Sequence, residues 1–288
     1  MTIIDGKEIS KKVKEEVRLE ALNLASKGVK PGLAVILVGD DKASQTYVAS
    51  KEKACISCEI NSIMHRLDKD TSEEMLLDLI ANLNEDDAVD GILVQLPLPK
   101  HINTNKVLER IDPKKDVDGF HAVNVGRLVS GLDSFVPCTP LGIMRLLKEY
   151  GIEVSGKNAV IIGRSNIVGK PMANLLLNAN ATVTITHSKT ANLKEICANA
   201  DILVAAIGKP FFVTADMVKE GAVIVDVGTT RVPDASRKSG FRLNGDVKFD
   251  EVSPKCSFIT PVPGGVGPMT ICSLMKNTLA AGKKEFYK

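Results

Sequence analysis

Tyr47 and Lys51 stand four residues apart in a stretch of helical periodicity, so a helix there carries a phenol and an ammonium on one face. A phenol beside an ammonium positions it, and partial burial pushes the ammonium toward its neutral form, ready to exchange protons with a reacting group. A solvated surface pair fits the same spacing. Gln95 lies near the end of an apolar run, residues 91–96, that Pro97 and Pro99 stop. A buried amide with nothing to bond is costly, so Gln95 requires a partner or a ligand. Asp118 closes an acidic turn, Asp116-Val-Asp118-Gly119. A carboxylate there can accept two parallel N–H bonds from an aminopyrimidine-type ring, or it can form an Asx turn that caps a helix near Ala122.

The second half suggests a nucleotide. A strand-like run reaches Gly163 and continues through Arg164 and Ser165 to Gly169 and Pro171, where a helix begins. Such a turn opens backbone amides at a helix N-terminus, as a dinucleotide pyrophosphate needs. Only two glycines of the usual G-x-G-x-x-G are present, so a plain strand-to-helix turn is the alternative. The next strand ends in Thr186-His187-Ser188-Lys189-Thr190, with no acid before Glu195. NAD sites place a carboxylate near that point, whereas a basic, hydroxyl-bearing tip beside Arg164 suits a 2′-phosphate, which points to NADP. The alternative is that His187 and Ser188 only cap the strand. Residues 261–270 hold three prolines and three glycines, which predicts neither helix nor ordinary strand but bare backbone able to approach a flat ligand.

Alternating elements must position these groups. Helices are expected over residues 8–27, 43–57, 71–84, 141–150, 171–178, 191–199 and 270–283, and strands over 32–39, 59–67, 91–96, 158–162, 181–186, 201–207 and 222–227. Thr71-Ser-Glu-Glu74 reads as a capping box. Short continuous apolar strands between helices predict an α/β protein with parallel sheets covered on both faces. A Gly/Pro-bearing stretch, residues 131–140, marks a hinge. The expectation is an N-terminal α/β catalytic domain of residues 1–139, rejoined by the last helix over 268–288, and a Rossmann-like domain of residues 140–267.

Bulk properties narrow the classes. The 288 residues are 44% hydrophobic and 25% charged, enough for two cores, and the net charge of +2 gives no electrostatic case for nucleic acid. Lys11-Lys12 and Lys283-Lys284 read as solvated faces. The six cysteines form no framework, and Cys55-Ile-Ser-Cys58 sits in a helical pattern without a second pair, which predicts buried free thiols rather than zinc ligands. The four histidines have no ligand spacing, so no metal is expected. No signal peptide and no span-length apolar run is seen, so the expected location is the cytoplasm, away from membranes.

Together these segments resemble the bifunctional methylenetetrahydrofolate dehydrogenase/cyclohydrolase family. The likeness runs from Ile3-Ile-Asp-Gly-Lys7 through residues 47–54, 91–99, 115–120, 137–140 and 163–171 to residues 261–270, in order. It implies an enzyme of one-carbon metabolism, feeding routes such as purine biosynthesis, that oxidises 5,10-methylenetetrahydrofolate with NADP and hydrolyses the methenyl product to 10-formyltetrahydrofolate. It also implies a homodimer and a cleft with folate on the first domain and NADP on the second. By the same resemblance Lys51 is the catalytic lysine and Tyr47 its neighbour near the pterin. Gln95 assists Lys51, Asp118 holds the pterin's amino edge, and Gly264 and Gly265 line the cleft. Gly163, Arg164 and Ser165 meet the cofactor phosphates, Ser188 the ribose, and Thr229 the nicotinamide end. Two positions depart from the family pattern: Glu59, where glycine is usual, and Thr229-Thr230, where Ile-Asn is usual.

Overall fold

In the computed structural model, which describes residues 1–237 and 240–287, the elements follow in this order: β1 (Thr2–Ile3), α1 (Gly6–Ala25), β2 (Gly32–Val38), α2 (Lys42–Ser57), β3 (Asn61–Leu67), α3 (Glu73–Glu85), β4 (Gly91–Val94), α4 (Thr104–Arg110), α5 (Ala122–Val129) and α6 (Cys138–Glu149). Then come β5 (Asn158–Ile162), α7 (Gly169–Asn178), β6 (Thr182–Thr186), α8 (Leu193–Ala198), β7 (Ile202–Ala205), β8 (Val223–Asp226), β9 (Thr230–Pro233), β10 (Phe241–Asn244), α9 (Phe249–Val252), β11 (Phe258–Ile259) and α10 (Val266–Gly282). Lys288, within the expected segment 268–288, and residues 238–239, within the expected 140–267, lie outside the described residues.

The chain forms two compact units. One comprises residues 11–138 with the closing segment from Ile271, and is built on a three-stranded parallel sheet in the order β3-β2-β4. All seven residues of β2 are buried. Their alternation sorts them by face: Leu33, Val35 and Leu37 pack with Val17, Val48, Cys55 and Leu279, while Ala34, Ile36 and Val38 pack with Leu76, Ile80 and Val107. That double cover is why the strand reads as an unbroken apolar run. Each large aliphatic side chain so buried contributes roughly 1.5–3 kcal/mol.

The other unit comprises Met1–Ser10 and Thr139–Thr270 and is built on a six-stranded sheet in the order β1-β11-β8-β7-β5-β6, parallel throughout. Its opening strand differs from the expected grouping of residues 1–139. Thr2 and Ile3 pair with Phe258 and Ile259, and two residues are too few to show a strand pattern.

Two local expectations are corrected. Residues 261–270 are not wholly irregular, because α10 begins at Val266. Pro268 falls in its first turn, where backbone N–H groups have no helical acceptor and the missing donor costs nothing. The cap of α3 is Ser72, which accepts from the Met75 amide at 3.2 Å, rather than Thr71, which is buried.

Candidate active site

Asp41 caps α2 by accepting from the Ser44 amide at 2.7 Å. Val48, Ala54 and Cys55 turn one face of this helix into the core. Tyr47 and Lys51 are thereby left on another, with Tyr47 49% exposed and Lys51 half-buried. Gln95 follows the last residue of β4, and its backbone amide donates to Ile36 at 2.8 Å, continuing the ladder onto β2. Its side chain meets the lysine: Lys51 Nζ donates to Gln95 Oε1 at 2.9 Å, and Gln95 Nε2 donates to the Leu96 carbonyl at 2.7 Å. Both bonds demand the same amide orientation, so each fixes the other.

The acidic turn is placed by the free edge of β4. The Ile92 amide donates to the Lys115 carbonyl at 2.7 Å, and Ile92 bridges Asp116 in parallel fashion. The turn's two carboxylates then divide the work. Asp116, 1% exposed, accepts from the amides of Gly119 at 3.1 Å and His121 at 2.8 Å and from Asn124 Nδ2 at 2.9 Å. It supplies the Asx turn; the cap of α5 is His121, whose Nδ1 accepts from the Val123 amide at 3.1 Å. Burial pushes the Asp116 carboxyl up to about 6. Asp118 is raised from its ordinary value by burial, and the Lys51 ammonium and the Cys138 thiol draw it back down. Lys51, Gln95 and Asp118 therefore gather in one place, with Tyr47 on the same helix as the lysine.

Cys55 and Cys58 both lie in the core, and burial pushes the Cys55 thiol up to about 12, so it stays protonated. Among the described residues, no group of three or more His, Cys, Asp or Glu side chains could hold a metal ion.

In the other unit, β5 and β6 run side by side, and the Gly163 amide donates to the Thr186 carbonyl at 3.0 Å. A Cβ on Gly163 would meet the Ala206 oxygen at 2.4 Å, and one on Gly169 the Gly163 oxygen at 2.2 Å, so the turn and the start of α7 need both glycines. Ser165 Oγ accepts from the amides of Val168 at 3.2 Å and Gly169 at 3.3 Å, which leaves its own proton to donate. Arg164 and Ser188 are exposed, each two residues past the paired Ile162 and Thr186. Among the described residues no carboxylate pairs with Arg164. His187 closes the turn after β6 by accepting from the Lys189 amide at 3.1 Å, which leaves the Ser188 side chain exposed. An open guanidinium and hydroxyl with no acid at the strand tip fit the 2′-phosphate of NADP.

Thr229 is exposed after Gly228, and Thr230 Oγ1 donates to the Gly208 carbonyl at 3.4 Å. Beneath them Asp226 accepts from the amides of Gly228, Asp246 and Val247, each at 2.9 Å. Asp246 accepts from Ile207 at 2.7 Å and Gly208 at 3.0 Å. Gly264 and Gly265 are buried against the start of α1: the Lys7 amide donates to the Gly264 carbonyl at 3.0 Å, and a Cβ on Gly6 would lie 1.8 Å from the Gly265 oxygen.

The catalytic-domain model of tetrahydrofolate dehydrogenase/cyclohydrolase matches residues 4–118, and the NAD(P)-binding-domain model of the same enzymes matches residues 137–286. The chain belongs to the tetrahydrofolate dehydrogenase/cyclohydrolase family. A curated relative from Campylobacter concisus, the bifunctional protein FolD, is 68% identical over 288 residues and covers 100% of both chains. The crystal structure of the bifunctional enzyme FolD from Campylobacter jejuni is 54% identical, with a TM-score of 0.95 over 99% of this chain and 100% of that one. A Trypanosoma brucei methylenetetrahydrofolate dehydrogenase-cyclohydrolase, solved with NADP cofactor and inhibitor, is 42% identical with a TM-score of 0.95, covering 100% of this chain and 99% of that one.

Within this family member, sequence reasoning missed the groups that brace the site. Asn277 Nδ2 donates to the Val117 carbonyl at 2.8 Å and the Val136 carbonyl at 3.0 Å, holding the backbone beside Asp118. An amide on the buried stripe of an apolar helix is the signal that could have found it. Asp226 carries a similar mark, an acid near the end of the apolar run 222–227, whereas Asp246 reads as an ordinary loop acid.

Proposed function

We propose that this chain oxidises 5,10-methylenetetrahydrofolate with NADP and hydrolyses the resulting methenyl cation to 10-formyltetrahydrofolate, with the folate on the unit that carries Lys51. The observation that carries this reading is the Lys51–Gln95 contact at 2.9 Å with Asp118 beside it.

Asp118 accepts N–H bonds from the pterin's amino edge, and the exposed ring of Tyr47 offers a face for stacking. The first step needs alignment rather than a strong base. Gly163, Arg164, Ser165, Ser188 and Thr229 would hold NADP, which supplies the hydride acceptor when bound. Water attack on the methenyl carbon needs protons moved, and Lys51 Nζ is the group that moves them. Gln95 Oε1 keeps that nitrogen in place, because its amide is pinned at the other end by Leu96.

The same reading assigns the folate to the unit of residues 11–138 with the closing segment from Ile271, assigns NADP to the unit of Met1–Ser10 and Thr139–Thr270, and makes the protein a cytoplasmic homodimer. Among the described residues no helix is long and apolar enough to cross a membrane.

A paired absorbance assay tests the activity. With 5,10-methylenetetrahydrofolate, NADPH is expected to grow faster than NADH, and added methenyl substrate is expected to be hydrolysed. Accumulating methenyl product would leave only a dehydrogenase, and no reduction of either cofactor would overturn the enzyme reading.

A further inference from the structure

The Asp118 side chain meets the Cys138 thiol and the Lys51 charge, and the turn on which it sits sets the direction in which its carboxylate leaves the backbone. That turn is held through Asp116, whose buried carboxylate gathers the amides of Gly119 and His121. A side-chain donor also reaches Asp116, that of Asn124 on α5.

Asn124 is 0% exposed, and every hydrogen-bonding position of its amide is used. Nδ2 donates to Asp116 Oδ2 at 2.9 Å and to the Pro113 carbonyl at 3.0 Å. Oδ1 accepts from the Phe135 amide at 3.3 Å and from the Tyr287 hydroxyl. The amide thus ties the segment leading into the Asp118 turn to a residue 163 positions along the chain. Tyr287 is seated for this: the Arg127 guanidinium, also on α5, lies 4.8 Å from its ring centroid, and the neighbouring Phe286 meets Phe135 edge-on at 5.0 Å. The tail also borders a cavity of about 520 Å³ lined by Asp112 and Lys114, while Phe286 and Tyr287 pack against the core cluster. The hydroxyl bond to Asn124 links this tail to the turn.

We propose that Asn124 and Tyr287 are positioning residues for folate binding, acting through Asp116 to fix the orientation of the Asp118 carboxylate. This rests on the reading of Asp118 as the pterin's ligand. Two parallel N–H bonds need both carboxylate oxygens in one plane, so a turn free to rock loses substrate affinity before it loses the proton-transfer step.

The test is steady-state kinetics of the full chain, varying 5,10-methylenetetrahydrofolate and NADP separately. Tyr287→Phe keeps the ring and removes only the hydroxyl. It is expected to raise KM for the folate about fivefold, as one hydrogen bond of about 1 kcal/mol implies, with kcat and KM for NADP within about twofold. Asn124→Asp keeps the shape but sets a like charge against Asp116, and is expected to raise the folate KM further. In an Asp118→Asn background, Tyr287→Phe is expected to add nothing. A merely structural role would lower Tm and move both KM values together, or neither, and either result overturns the proposal. If Asp118→Asn raises the folate KM but Tyr287→Phe and Asn124→Asp do not, the positioning role alone fails. If Asp118→Asn leaves the folate KM unchanged, the reading of Asp118 fails and takes this proposal with it.

Discussion

Lys51→Met removes two things at once, and the structure separates their effects. The first is the nitrogen that Gln95 holds at 2.9 Å. Without it the water-attack step loses its proton carrier, a loss of about 10²–10⁴-fold in cyclohydrolase kcat. Hydride transfer depends on alignment and keeps measurable activity. The second is a positive charge beside a half-buried carboxylate. Burial raises the Asp118 carboxyl and Lys51 is the leading influence that lowers it, so in the variant it rises further, with each unit equivalent to about 1.36 kcal/mol. The sign is then fixed. As pH falls, Asp118 in the variant takes up its proton earlier than in the parent and folate affinity falls earlier, so KM rises at a higher pH. Lys51→Arg restores the charge but not a readily exchanged proton, so it should recover the parent's KM–pH profile without recovering cyclohydrolase. The assays are methenyl hydrolysis and NADPH formation by absorbance from pH 5 to 8. Equal loss of both activities at unchanged folate KM, or full cyclohydrolase activity in Lys51→Arg, would refute this division of labour.

Three other perturbations report on other parts of the molecule. Arg164→Ala removes an exposed guanidinium that no carboxylate engages among the described residues; kcat/KM with NADP should fall about 10- to 100-fold while that with NAD changes little, and an equal fall with both cofactors would remove Arg164 from the 2′-phosphate site. Glu59 ends α2 at φ 59, with the Ile60 amide donating to Cys55 at 3.0 Å and the Glu59 amide to Ile56 at 3.3 Å, a Schellman turn that glycine makes without strain. Glu59→Gly should therefore stabilise the protein by about 1 kcal/mol and raise Tm by about 2–4 °C, and an unchanged or lower Tm in a thermal melt would contradict it. Burial, with the Asp246 charge adding to it, pushes the Asp226 carboxyl from 3.8 up to about 7, so folding takes up a proton between those values. This group's stabilising contribution is fully present below about pH 4 and is lost, to the order of 4 kcal/mol, as pH rises through about 7. Asp226→Asn should flatten the fall in stability between about pH 4 and 7 in urea unfolding, and an unchanged slope would contradict the assignment.

The elements that carry the site were legible because each has a local cause. The run Gly32–Val38 reads as a doubly covered strand since both faces are packed, and Tyr47 and Lys51 share a helix face by spacing alone. Gln95 was legible as a demand rather than a contact: an amide in an apolar run needs something. Which group answers it depends on β2 and β4 lying side by side, which aligns Ile36 with Val94 and brings the strand's end toward α2, 44 residues away in the chain. The same limit hid β1, whose partner lies more than 250 residues away, and the start of α10, where glycines and prolines read as breakers although a helix's first turn tolerates them.

The acidic turn shows most clearly why composition could not decide function. Asp116 and Asp118 are two residues apart and chemically identical, and the sequence supports both an Asx turn and a ligand-binding carboxylate. The Asx turn falls on Asp116, and the proposed ligand role rests on Asp118. The decision comes from the edge of β4: once Ile92 pairs with the segment at Lys115 and Asp116, the Asp116 carboxylate turns onto the amides of Gly119 and His121 and is spent there. Asp118 is left beside Lys51 and the Cys138 thiol, near enough to feel both. The Asp116 carboxylate is thus the condition for the place that Asp118 takes. Exchanging their roles would need the turn to slip along β4, which would move Asp118 away from the lysine. A substitution at Asp116 should accordingly damage folate binding although Asp116 itself is buried away from any ligand, and it should do so without touching NADP affinity.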